Sequence, residues 1–76
     1  MRTNFSFSCR DTIIRNQVII CLTHDKTLDG FKYYLTGGFF PSITIYRDDE
    51  SKLDKRTSKR IINAAIALFP DDVFED

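Results

Sequence analysis

Seventy-six residues leave room for one domain, near the lower size at which a chain buries enough surface to fold unaided. Hydrophobic residues at 42% and aromatics at 13% exclude wholesale disorder and supply a core. Eleven Lys plus Arg balance eleven Asp plus Glu, so no global field draws the molecule to nucleic acid or an anionic membrane, and any electrostatic recognition is local.

From Asn4 the residues Phe5, Phe7 and Cys9 alternate with Ser6, Ser8 and Arg10, the period-two pattern of a strand with one buried face. Val18 to Thr23, VIICLT, is a β-branched run that predicts a second, more deeply buried strand. A turn at Arg15-Asn16 would join the two as a hairpin and gather Phe5, Phe7, Cys9, Ile13, Val18, Ile20 and Leu22 on one face. Asp11 is the misfit in that register, because it would point inward opposite Ile20. The apolar run Val18 to Leu22 is far short of the roughly twenty residues of a membrane span.

His24 to Gly30 is a polar stretch that ends this region. Phe31, Tyr33 and Leu35 then alternate as a strand would, and a loop at Thr36-Gly37-Gly38 would pair Leu35 with Phe39 and Phe31 with Ile43. Leu28, Phe31 and Leu35 also stand at helical spacing, so a helix over 27–36 is the alternative, at a cost of about 1 kcal/mol for Gly30 within it. Ser42 to Arg47, SITIYR, predicts a further strand, with Pro41 at its start or at an edge.

Ser51 to Phe69 is the long periodic segment and predicts an amphipathic helix. Lys52, Lys55, Arg56, Lys59 and Arg60 share one arc, and Leu53, Ile61, Ala64, Ala65 and Leu68 the opposite one. Asp48-Asp49-Glu50 and the capping-box-like Ser51-Lys52-Leu53-Asp54 mark its start. Pro70 marks its end, followed by an acidic tail, Asp71 to Asp76.

The chemistry-bearing residues are few. Cys9 and Cys21 lack the spacing of a zinc or redox pair and predict free thiols. His24-Asp25 has the composition of a tuned general base, yet no nucleophile, second acid or phosphate-cradling loop accompanies it. Asp25 to Gly30 imitates the opening of a calcium loop, but the twelfth position is Thr36 in place of the bidentate Glu. An Asp/Gly turn accounts for it, and neither a metal nor another cofactor is implied. Tyr33, Tyr34, Phe39, Phe40 and Tyr46 could stack bases on an exposed sheet, although a core needs them too. Phe39-Phe40 beside Gly37-Gly38 is the expected exposed apolar spot.

Asp54-Lys55 followed by an amphipathic helix and Asp71-Asp72-Val73-Phe74 resembles the C-terminal helix of the small DNA-damage-inducible proteins that modulate the RecA recombinase. The resemblance covers under a third of the chain and carries over no residue role.

The expected fold is α+β: an antiparallel sheet of about four strands in two hairpins, with one C-terminal helix packed across a face through Leu53, Ile61, Ala65, Leu68 and Phe69. The alternative is ββαβα with a helix near 27–36. The expected function is that of a small non-enzymatic regulator or inhibitor docking on a larger protein through Lys52, Lys55, Arg56, Lys59, Arg60, Phe39 and Phe40. Nucleic-acid binding by the basic helix face is the alternative. The Met1 end lacks the apolar centre of a signal peptide, which predicts a cytoplasmic protein with no membrane association. No small-molecule ligand is evident. Small accessory proteins of phages and mobile elements fit this size.

Overall fold

The computed structural model describes residues 3–49 and 52–75. In chain order they form β1 (Asn4–Cys9), α1 (Thr12–His24), β2 (Phe31–Thr36), β3 (Ser42–Arg47), α2 (Lys55–Leu68) and β4 (Val73–Glu75). The four strands make one sheet in the order β2-β3-β1-β4, with every neighbouring pair antiparallel. This βαββαβ order, with β1 and β3 central, is the split βαβ arrangement of ferredoxin-like folds.

The fold class is α+β with a four-stranded antiparallel sheet and a C-terminal helix, as the patterning predicts, but it holds two helices. The expected strand at 18–23 is part of α1, and the turn at Arg15-Asn16 lies inside that helix. Asp11, the misfit of the hairpin register, explains why: its carboxylate accepts from the Ile14 N–H at 2.9 Å and caps α1. Helical spacing then buries Val18, Ile19 and Leu22, while Ile13 and Ile20, expected in the core, are 70% and 59% exposed. The β-branched residues of α1 each cost up to about 0.7 kcal/mol of helix propensity relative to Ala. Each side chain it buries returns about 1.5–3 kcal/mol. Tertiary burial therefore overrides the local preference.

Residues 31–36 are a strand, which removes the ββαβα alternative. The register differs from expectation: Leu35 faces Ile43 and Phe31 faces Arg47, so the loop runs from Gly37 to Pro41. Pro41 cannot donate to a ladder; it is buried, and its carbonyl accepts from the Cys9 N–H at 2.7 Å. Gly38 takes the turn at φ 101°, which a side chain would resist.

α2 begins at Lys55, later than the expected start, because Asp54 is its cap and accepts from the Thr57 N–H at 3.1 Å. Ser51 and Glu50 lie outside the described residues. The helix ends at Leu68 before the extended Phe69, as the residue preceding Pro70 requires. Leu53, Ile61, Ile62 and Ala65 are buried, and Phe69 packs on the core, but Leu68 is 38% exposed. The acidic tail contains β4, which pairs with β1 from Cys9↔Val73 to Phe7↔Glu75.

The core lies between the helices and one sheet face, built from Phe5, Phe7, Cys9, Ile43, Ile45 and Val73 below and the buried helix residues above. Among the described residues the other sheet face carries no helix. Residues paired across strands share a face, so the bare side presents Ser6, Ser8, Ser42, Thr44 and Thr36, with Tyr34, Tyr46 and Phe74 toward its corners.

Candidate functional site

The cap at Asp54 and the burial of Ile61, Ile62 and Ala65 fix the rotation of α2. Its opposite side therefore turns to solvent, and Lys55, Arg56, Lys59 and Arg60 are exposed on it; Lys52, expected on the same helical arc, is exposed too but precedes the Asp54 cap and lies outside the helix. Lys59 bonds both carboxylate oxygens of Glu75 on β4, at 3.1 and 2.9 Å. Lys52, Lys55, Arg56 and Arg60 make no ion pair among the described residues.

Three acids of the flanking segments are engaged elsewhere. Asp72 pairs with Arg10 at 3.1 Å, Asp48 with Lys32 at 3.3 Å, and Asp54 serves its own helix. Hydrogen bonds from the Thr57 hydroxyl and N–H hold the Asp54 carboxyl below its ordinary pKa, so it stays charged at the helix start, where the dipole favours an anion. The result is a strip of four cations, Lys52, Lys55, Arg56 and Arg60, without an ion-pair partner among the described residues, on a chain whose formal net charge is zero.

Phe39 and Phe40 belong to a different part of the surface. They sit in the β2–β3 loop, 96% and 64% exposed. Phe40 meets Phe74 edge to face at 6.1 Å between centroids. Phe74 stands opposite Ser8 on the bare sheet side, whereas the α2 cations point away from the helical side. The seven expected contact residues thus form two surfaces, one charged and one aromatic.

The bare sheet side also holds a shallow groove lined by Thr3, Asn4, Tyr34 and Tyr46, whose two tyrosine rings lie 6.2 Å apart. A stacking platform for nucleic acid needs cations beside its rings. Here Lys32 is paired with Asp48, and Arg47 lies over the Phe31 ring, 5.4 Å from its centroid, on the helical side. The arrangement does not suit stacking of a charged strand.

His24 ends α1 in an exposed position, without a hydrogen bond to Asp25, which caps that helix. The segment Asp25 to Gly30 is the turn into β2, with Lys26 at φ 60° and Gly30 at φ 84°. Among the described residues no three His, Cys, Asp or Glu side chains gather as a metal ion would require. Cys9 and Cys21 are free thiols, and burial pushes that of Cys9 up to about 11. No helix among the described residues is long and apolar enough to cross a membrane.

Patterning missed two surface features. Ile13 and Ile20 form an exposed apolar pair on α1, hidden by the assumption that every isoleucine in this stretch is core. Phe74 on the bare side, beside the already expected Tyr34, follows from strand parity once the register is known. Comparison with protein-family models, curated proteins and solved structures returns no match.

Proposed function

We propose that this chain is a small non-enzymatic regulatory or inhibitory protein that docks on a larger protein, presenting the outer face of α2 to an acidic surface. The carrying observation is that, among the described residues, Lys52, Lys55, Arg56 and Arg60 make no ion pair although acids flank the helix. Cations three and four positions apart repel by a few tenths of a kcal/mol per pair, so the strip lowers the stability of the free chain. Carboxylates from a partner would relieve that repulsion and steer the encounter. Phe39 and Phe40 offer an apolar contact on the other side of the molecule. A role as an accessory protein of a phage or mobile element is consistent with this reading.

The test is capture of host proteins by wild type and by a triple variant, Lys55→Glu, Arg56→Glu and Arg60→Glu, with titration of a generic DNA duplex alongside. The expected outcome is a specific captured protein lost in the variant, and no duplex shift at about 50 mM salt. Identical captured proteins from both would end the reading. A duplex shift that falls steeply with added salt would assign the strip to phosphates instead.

A further inference from the structure

The two outer strands of the sheet are unequal. β4 spans three residues and pairs along β1 through an acidic segment. β2 spans six residues, FKYYLT, with neither proline nor bulge, and all but Phe31 are exposed. Tyr33 and Leu35 lie on its helical side, 42% and 37% exposed, and Tyr34 lies on the bare side, 51% exposed. The one charge on β2, Lys32, is matched by Asp48. Proteins ordinarily protect such an edge with charge, proline or brevity.

The hydrogen bonds of neighbouring positions set which backbone groups of β2 are unused. The Asp48 N–H donates to the Gly30 carbonyl at 3.1 Å, and the Phe31 N–H turns away to the Leu28 carbonyl at 2.9 Å. The ladder alternates, so Lys32 and Tyr34 bond toward β3, while the N–H and C=O of Tyr33 and Leu35 point outward from the sheet. The Cys9 N–H bond to the Pro41 carbonyl places β3 in the matching phase.

This free set is symmetric about Tyr34. A twofold axis there, perpendicular to the sheet, sets Tyr33 opposite Leu35 of a second copy and satisfies the N–H and the C=O of each of these residues. The same operation sets Tyr34 against Tyr34 and Lys32 against Thr36, so no cation meets its own image. It also keeps the helices of both copies on one side. A net charge of zero adds no long-range repulsion between copies. We infer that β2 is a self-association edge: two copies of this chain pair antiparallel through Phe31–Thr36, with Tyr33 opposite Leu35, joining their sheets into one. The inference does not depend on what the α2 strip binds.

Tyr34→Glu and Tyr34→Lys test it, each placing a like charge against itself at the axis. Wild type should sediment as a dimer, with the Tyr33 and Leu35 amides slow to exchange. Each variant alone should dissociate at least about tenfold more readily, and an equimolar mixture of the two should restore the dimer. Slow exchange at the Lys32 and Tyr34 positions, whose N–H groups point to β3, verifies that the monomeric fold survives. A monomeric wild type with rapidly exchanging Tyr33 and Leu35 amides would overturn the inference. So would a dimer indifferent to both variants, which would use another surface.

Discussion

α1 and α2 are built alike on the inside and differ on the outside. Each starts at an aspartate cap, Asp11 or Asp54, and each buries three residues against the same sheet. On α2 the solvent side is cationic, so its apolar residues stand out at helical spacing. On α1 the solvent side carries Ile13 and Ile20 beside Gln17 and His24, and the period is lost among apolar residues on every side. A helix is legible from its polar face as much as from its buried one.

Substitutions can break or sharpen this likeness. The largest effect belongs to the buried sides: Leu22→Ala on α1 and Ile61→Ala on α2 should each cost about 2–5 kcal/mol in denaturant unfolding, since both are essentially inaccessible. Similar losses from the two would show that the helices contribute equally. A much smaller loss for Leu22→Ala would mean that α1 is marginal.

Next come the caps. Asp11→Ala and Asp54→Ala should each lower Tm by roughly 5 °C. The Ile14 N–H bond, foremost, lowers the Asp11 pKa, and the Thr57 bonds lower that of Asp54. A carboxyl with a depressed folded pKa stabilises above its unfolded value, and that stability is lost as pH falls through the folded pKa. Thermal stability should therefore drop on acidification below the ordinary aspartate range, and by less in either alanine variant. An acid response unchanged in both would remove the caps from the account.

The smallest effect is expected on the outside of α1. Ile13→Gln and Ile20→Gln should change stability by no more than about 0.5 kcal/mol. A loss of more than 1 kcal/mol would mean that these side chains are covered in solution.

Three of the four strands were readable from alternation: from Phe5 and Ile43 it matches the buried face of the sheet, and from Phe31 it marks the helical side of β2 although Tyr33 and Leu35 there stay exposed. β4 was not, since three residues with a single buried valine carry no period and sit among acids. α1 was misread because valine and isoleucine favour strands in isolation, whereas burial beside β1 and β3 decides here. The shared exposure of Lys55, Arg56, Lys59 and Arg60 needed only helical geometry, whereas Lys52 falls outside the helix because Asp54 caps it. Its separation from Phe39 and Phe40 was not, because that depends on which sheet side the helices occupy.

The central place of β1 bears on how the chain acquires its fold. Phe7 is paired with Ile43 on one flank and with Glu75 on the other, so neither partner is local in sequence. Loop-closure entropy must be met before these contacts form, and folding should be slower than for a helical bundle of the same length. During synthesis β1 holds both flanks unpaired until the later strands arrive, an interval in which a nascent chain depends on its surroundings to remain separate from its neighbours.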